Sequence, residues 1–186
     1  MSPERQQKAY RAFRAQRVAN LPASLRPGRP QTDDVVRHTP ALSTLEPVLY
    51  EPYLFEPVPP VLHYGYRVGP MRLRELAEGL GHISTTGTRR CPSASATLFV
   101  MSHIRELLNH DAELATVWCE GKEYLMLSIS TNANQSNRLE EIVPRLQEFL
   151  GETGPPMWYL DSDDCFWIKS SVTWRDVLLC DDELSI

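Results

Sequence analysis

Long hydrophobic runs are missing from this chain of 186 residues. No apolar stretch approaches the roughly 18 residues that a bilayer-spanning helix needs, and the polar N-terminus lacks the apolar segment of a secretory signal. The four cysteines, Cys91, Cys119, Cys165 and Cys180, form no CxxC pair, which argues against a zinc knuckle or a disulfide framework. We therefore expect a reduced, cytoplasmic protein that has no membrane partner.

The chain also lacks the common signatures of catalysis. It contains no P-loop, no GxGxxG nucleotide fingerprint and no GxSxG nucleophile elbow. No cysteine has a base close to it in the sequence that would mark a Cys–His pair. The sequence therefore predicts no cofactor and no catalytic residue, and it favours a non-enzymatic protein.

Charge is distributed unevenly along the chain. Residues 1–40 carry eight Lys/Arg against three Asp/Glu, whereas residues 41–186 carry eleven against twenty-one. Hydrophobic residues make up 42% of the chain, which is enough to form a core. The pattern predicts a folded acidic body that is preceded by a basic arm.

The basic arm spans residues 1–20 and has good helix propensity. Its Arg11, Arg14 and Arg17 recur every three residues and would form a broad stripe on a helix. Four interpretations remain open: a helix that docks on the acidic body, a frayed terminus, an arm for nucleic acid, or an Arg-rich targeting sequence. The three arginines are candidate partner-binding residues.

Proline dominates the next segment, residues 21–68, which we expect to form an extended strap. Residues 21–70 hold ten of the fifteen prolines, so no regular helix is expected there. The five-residue units EPVLY, EPYLF and EPVPP follow one another and favour extended backbone. Their Tyr50, Tyr53 and Phe55 are unusually apolar for a linker. They either pack on the protein's own body or bind a groove of a partner.

The compact body, residues 69–186, is predicted to alternate helices with β-hairpins. Apolar residues at helical spacing predict helices over 70–80, 93–110 and 138–150. Strands 115–119 and 123–131 should form a hairpin that turns at Glu120-Gly121-Lys122, and the segments MWYL and CFWIK should form a second. This order indicates an α+β fold, a two-layer sandwich of helices on a small, mostly antiparallel sheet, with the extended Pro-rich strap at its N-terminus.

Three aspartates lie between the two segments of the second predicted hairpin, in MWYL-DSDD-CFWI. Asp and Ser favour such connections because their side chains bond to nearby turn amides. The alternative is a magnesium site in which Asp161, Asp163 and Asp164 serve a small metal-dependent hydrolase. That chemistry also needs a phosphate-binding Lys and a parallel sheet, and the chain after Asp164 is too short to build them. The sequence favours a turn.

A second weak metal candidate lies on the helix predicted over 93–110. His103, Glu106 and His110 stand at i, i+3 and i+7, within one sector of that helix. Polar residues must also fall on the outer face of any amphipathic helix. The spacing is therefore better explained by a solvated face, and we predict no bound metal.

Residues 73–90, LRELAEGLGHISTTGTRR, resemble a bacterial helix-turn-helix. In that pattern an LAxxLG first helix turns into a Ser/Thr-capped recognition helix that ends in Arg. The resemblance covers eighteen residues and implies a DNA-binding protein. The sequence departs from the pattern at His82, which adds a residue to the turn, and at Gly87 and Pro92, which interrupt the recognition helix.

Taken together, these patterns favour an intracellular protein-binding or adaptor module. The aromatic strap, the basic arm and the acidic last third support this interpretation, since residues 151–186 hold eight Asp/Glu against two Lys/Arg. A protein partner is expected and nucleic acid is not, because an acidic body opposes close approach to phosphates. DNA binding through residues 73–90 and metal-dependent hydrolysis remain the alternatives.

Overall fold

The computed structural model describes residues 12, 15–27, 32–50, 58–82 and 94–168. Residues 15–20 are helical, and short 3₁₀ turns lie at Ala23–Leu25 and Pro47–Leu49. The other elements of the described residues are four helices and four strands. In chain order they are α1 (Asp33–Arg37), β1 (Leu62–Arg67), α2 (Pro70–Gly79), α3 (Ala94–Leu108), β2 (Glu113–Cys119), β3 (Lys122–Thr131), α4 (Leu139–Leu150) and β4 (Met157–Asp161).

The four strands close on one another in the order β1-β3-β2-β4. β1 and β2 each pair with both β3 and β4, and all four pairings are antiparallel. The α+β composition and the antiparallel sheet are therefore confirmed. The sheet, however, is a small closed barrel and not the open layer that a sandwich requires. Its closure depends on β1, a strand that precedes the expected body boundary at residue 69 and that the sequence did not reveal.

The pairing of β1 with β3 shifts register between Tyr64 and Gly65. Such irregularities increase the local twist and bend a strand, which helps a sheet of only four strands to close. Gly65 is needed here, because a Cβ on this residue would run into the carbonyl oxygen of Leu127 on β3. The glycine lets the two backbones approach each other.

We expect Gly65→Ala to lower the free energy of unfolding by about 2–3 kcal/mol, as overpacking does, because β1 and β3 must move apart. Gly79→Ala is the matched control, since an added Cβ there has no atom within 4 Å. In helix α2 that alanine should stabilise the protein by about 0.5–1 kcal/mol. The urea midpoint should therefore fall for Gly65→Ala and rise for Gly79→Ala. An unchanged midpoint for Gly65→Ala would contradict the close approach of β1 and β3.

Helices α2, α3 and α4 pack against one side of the barrel and form the largest core cluster. The predicted helices are confirmed to within a few residues, and their apolar stripes are buried. Leu127 and Ile129 of β3 face these helices, as the alternation in the sequence predicts. The fully buried residues at this interface include Leu73, Ile104, Leu108, Leu127, Ile142 and Leu146.

The second hairpin predicted from MWYL and CFWIK is wrong. β4 pairs with β1 and β2, while Ile168 forms a bridge with Val58. The alternating pattern identified a strand at 157–161, but it could not identify the partner of that strand. The first hairpin is confirmed, with Glu120 and Gly121 at positive φ (52° and 82°) in its two-residue turn.

The N-terminal residues pack on the side of the barrel where β1 and β4 meet. Leu21, Leu25, Val36, Val48 and Leu49 are buried there. They contact side chains of the strands and of the segment after β4, including Leu62, Trp158, Leu160 and Cys165. Contrary to expectation, this region contains a short helix, α1, because no proline lies between Pro30 and Pro40.

No helix among the described residues is both long enough and apolar enough to cross a membrane.

Candidate functional site

One end of the barrel interior is polar, and each strand contributes a residue to it. His63 lies on β1, Glu113 begins β2, Ser128 lies on β3 and Asp161 ends β4. Antiparallel pairing brings them together, since Glu113 faces Ser128 across the β2–β3 ladder and His63 faces Tyr159, two residues before Asp161. Alternation along β3 places Leu127 and Ile129 towards the helices and Ser128 towards the interior.

His63 is the centre of this group and is only 5% exposed. Its Nε2 lies 2.8 Å from Oδ2 of Asp161, and its Nδ1 lies 3.0 Å from Oγ of Ser128. A carboxylate only accepts hydrogen bonds. Nε2 therefore carries a hydrogen atom and donates a hydrogen bond to Asp161. When the ring is neutral, Nδ1 is therefore the acceptor that faces Ser128.

Asp161 is held by its own turn as well as by His63. Its Oδ1 accepts the backbone amides of Asp163 and Asp164, both at 2.7 Å. Burial tends to raise the pKa of this carboxyl, but the hydrogen bonds from His63 and from the two amides outweigh it and hold the pKa below its ordinary value. Asp161 is therefore ionised at neutral pH and fixes the orientation of the imidazole.

Glu113 supplies a second carboxylate beside the imidazole. Its Oε1 lies 3.5 Å from Nδ1 of His63, and its side chain is 58% exposed. It thus connects the buried histidine to the surface. A protonated His63 would face two carboxylates, Asp161 at one ring nitrogen and Glu113 at the other.

A cleft of about 740 Å³ opens beside this polar end. The C-terminal end of α3, the start of β2, the end of β3 and the start of α4 form its walls, and Ser128 and Glu113 lie in its lining. Among the described residues, all that line the cleft except Ala112 and Ile129 are polar. They are Arg105, His110, Asp111, Ala112, Glu113, Ser128, Ile129, Ser130, Thr131, Asn134, Gln135, Ser136, Asn137 and Arg138.

The aspartates singled out in the sequence lie in a turn, with different roles. Asp163 and Asp164 are exposed and donate their amides to Asp161, which alone reaches into the barrel. In the described part of the chain, no three His, Cys, Asp or Glu side chains are arranged to hold a metal ion. The cluster thus contributes a turn and a partner for His63.

Asp161→Asn should lower the free energy of unfolding at pH 7 by about 2 kcal/mol, because charge-assisted hydrogen bonds are lost. The pKa of Asp161 is lowered, so its stabilising contribution is complete above the ordinary value of 3.8 and disappears as the pH falls below it. The difference in the free energy of unfolding between Asp161→Asn and the unsubstituted protein should therefore become smaller in acid. Asp163→Asn, on the exposed neighbour, should change stability by no more than about 0.5 kcal/mol. Equal effects of the two substitutions in urea titrations would contradict the contact with His63.

The weak metal candidates His103, Glu106 and His110 do not converge. The His103 ring lies against Phe149, with 5.4 Å between ring centres, and Glu106 is exposed. His110 lies beyond the helix and donates from Nε2 to the carbonyl of Ile129 at 2.8 Å. His110 thereby joins the wall of the cleft.

The predicted partner-binding residues are described only in part. Tyr50 is 37% exposed, and Arg17 forms an ion pair with Glu46 at 3.1 Å. Arg11, Arg14, Tyr53 and Phe55 lie outside the described residues. Their part in binding stays a prediction.

The segment that resembles a helix-turn-helix is also described in part. Its first helix corresponds to α2, which ends at Gly79 and is followed by a left-handed Gly81, while residues 83–93, where the recognition helix is predicted, lie outside the described residues. The buried Leu73, Leu76 and Ala77 of α2 belong to the core of the barrel and helices. DNA binding through this segment stays untested.

Sequence reasoning missed His63, Glu113 and Ser128. Some signal was present, because Ser128 and Ser130 alternate with apolar residues on a strand whose other face is buried. The four residues are up to 98 positions apart, and only the strand register brings them together. No protein-family model, no curated protein and no solved structure matches this chain.

Proposed function

We propose that the protein is a binding module whose polar cleft receives a basic segment of a protein partner. The observation that carries the proposal is the charge that the cleft offers to a ligand. Asp111 and Glu113 are exposed and lie in the lining of the cleft. A lysine or arginine of a partner would find an acidic position there.

The two arginines of the cleft have hydrogen-bond partners within the protein. Arg105 donates from Nε to the carbonyl of Ala112 at 3.0 Å. Arg138 donates to the carbonyl of Asn109 and forms an ion pair with Glu141 at 3.1 Å. The charge of Arg138 is thus offset by Glu141, and Asp111 and Glu113 are the acidic groups that the cleft offers to a basic ligand.

Amide side chains complete the recognition surface. Gln135 and Asn137 lie in the lining and are exposed, and between described residues no hydrogen bond occupies their side-chain amides. An amide offers both a donor and an acceptor, which matches the main chain of an extended peptide. The volume of the cleft lies in the range of about 300–1,000 Å³ that is usual for ligand sites. The strap around Tyr50 and the basic arm are proposed as further contacts with the same partner.

Peptide selection tests this proposal directly. A random-peptide phage library should be selected against the full chain, and an enriched peptide labelled and titrated by fluorescence polarisation. We expect the enriched peptides to contain Lys or Arg, and their affinity to fall with rising salt. Asp111→Asn and Glu113→Gln should each weaken binding by about three- to tenfold, as losses of rim charges do.

Glu123→Gln is the matched control, because Glu123 is an exposed acid on β3 near the opposite end of the hairpin. It should leave the affinity unchanged. Selection of peptides without basic residues, or equal binding to the Asp111→Asn, Glu113→Gln double variant, would contradict the proposal. If a chain lacking residues 1–11 binds the peptide more tightly, the protein's own basic arm competes for the cleft.

A further inference from the structure

Ser128, His63 and Asp161 are joined by hydrogen bonds, and Ser128, which is 2% exposed, is one of the residues that line the cleft. We propose that Ser128 is a nucleophile, with His63 as its base, that attacks the carbonyl carbon of a carboxylic ester with a small, polar acyl group. The inference goes beyond peptide binding and does not depend on it, since the reaction is measured on the chain alone.

The geometry provides the three parts that an activated serine needs. The nucleophile and its base are in hydrogen-bond contact, with 3.0 Å between Ser128 Oγ and His63 Nδ1. The base is oriented by a third group, since its Nε2 lies 2.8 Å from Asp161 Oδ2. In the well-known serine proteases, Nε2 of the histidine faces the serine and Nδ1 faces the carboxylate, whereas here the two nitrogens are exchanged. The chemistry requires only a basic nitrogen at the serine and a hydrogen-bond donor at the carboxylate.

The hydroxyl proton of Ser128 has two possible acceptors, and they define an active and an inactive state. One is Nδ1 of His63, and the other is the carbonyl oxygen of Ser130 at 3.3 Å. A neutral His63 accepts the proton at Nδ1 and activates the serine. A protonated His63, facing Asp161 and Glu113, instead donates to Oγ and turns the hydroxyl towards Ser130. Reactivity should therefore require the neutral ring.

The reaction balances without a further reactant except water. Oγ of Ser128 bonds to the carbonyl carbon while its proton passes to Nδ1 of His63. The tetrahedral adduct collapses, the bond to the leaving oxygen breaks, and His63 returns the proton to the departing alcohol. Water then attacks the acyl-serine with His63 again as base, which releases the carboxylic acid and restores Ser128.

The lining of the cleft limits the substrate. Only Ala112 and Ile129 are apolar among the described residues of the lining, so a long acyl chain would displace water from polar groups without replacing their hydrogen bonds. Side chains of Asn134, Gln135 and Asn137 offer donors and acceptors to a polar acyl group instead. Acetyl esters should thus be preferred to octanoyl esters.

Covalent labelling of the full chain by a fluorophosphonate probe, which reacts with activated serines, tests the proposal. We expect one adduct by intact mass, and peptide mapping should place it on Ser128. Labelling should be lost in Ser128→Ala and retained in Ser130→Ala, a matched control in the same cleft whose hydroxyl bonds to Asn134. Mapping the unsubstituted protein keeps the test decisive if Ser128→Ala folds poorly.

Hydrolysis of p-nitrophenyl acetate distinguishes a role of Asp161 in positioning His63 from a role in the stability of the fold. Asp161 acts through His63, so Asp161→Asn should lower kcat about a hundredfold or more with little change in KM, as loss of assisted proton transfer does. p-Nitrophenyl octanoate should react more slowly than the acetate. A folded chain that gives no adduct on Ser128, or an equal rate of ester hydrolysis in Ser128→Ala, would overturn the proposal.

Discussion

A shortened chain of residues 58–186 should fail to fold, although it keeps all four strands of the barrel. It lacks Leu21, Leu25, Val36, Val48 and Leu49, which are all buried against the strands. Burial of each such side chain is worth about 1.5–3 kcal/mol, so the five together supply about 7 kcal/mol or more. A domain of ordinary stability has only about 5–15 kcal/mol in total.

Circular dichroism and size-exclusion chromatography should show loss of the cooperative thermal transition and aggregation of the shortened chain. Tyr50→Ala in the full chain is the control, because Tyr50 is 37% exposed and its removal should cost little. A shortened chain that stays monomeric with the melting temperature of the parent would contradict the packing of the N-terminal residues on the barrel.

Asn132→Ala should be the most damaging single substitution, with a loss of about 4 kcal/mol in the free energy of unfolding. Its side chain accepts the amide of Leu62 at 2.8 Å and donates to the carbonyls of Leu49 and Pro60 at 2.7 and 2.9 Å. The residue is 4% exposed, so alanine would leave three buried backbone groups without partners. Each such group costs about 1–3 kcal/mol.

Chemical denaturation of two further variants separates the hydrogen bonds from simple loss of volume. Asn132→Asp keeps an acceptor for Leu62 but sets a carboxylate against two carbonyl oxygens, so it should also destabilise strongly. Asn137→Ala removes an exposed amide from the same loop and should change stability by no more than about 0.5 kcal/mol. If Asn132→Ala lowers the free energy of unfolding by less than about 1 kcal/mol, the three hydrogen bonds of Asn132 are contradicted, since one unsatisfied buried group alone costs that much.

Apolar periodicity was sufficient to predict the elements whose conformation depends on residues close together in the sequence. The helices α2, α3 and α4 and the hairpin at Gly121 follow from apolar spacing and turn chemistry. β1 was missed because LHYGYR contains a glycine and follows a proline-rich segment. Its strand conformation depends on pairing with β3 and β4, which are remote in sequence.

The polar site was less predictable than the fold for the same reason. Asp161 was noticed only as a member of an acidic turn, and nothing nearby in the sequence indicated that one of its oxygens faces His63. The identity of a residue does not reveal which side chain lies opposite it in a closed barrel. That information lies in the register of strands that are distant along the chain.

The convergence of His63, Ser128 and Asp161 is tested most directly by nitrogen NMR of the histidine rings in the full chain. The signal of His63 is identified by its absence in His63→Gln. Above the pH at which the rings become neutral, the contacts predict a proton fixed on Nε2 and an acceptor at Nδ1 that responds to Ser128→Ala. A proton on Nδ1, or a ring that averages both tautomers as a solvent-exposed imidazole does, would show that the three side chains do not meet as described.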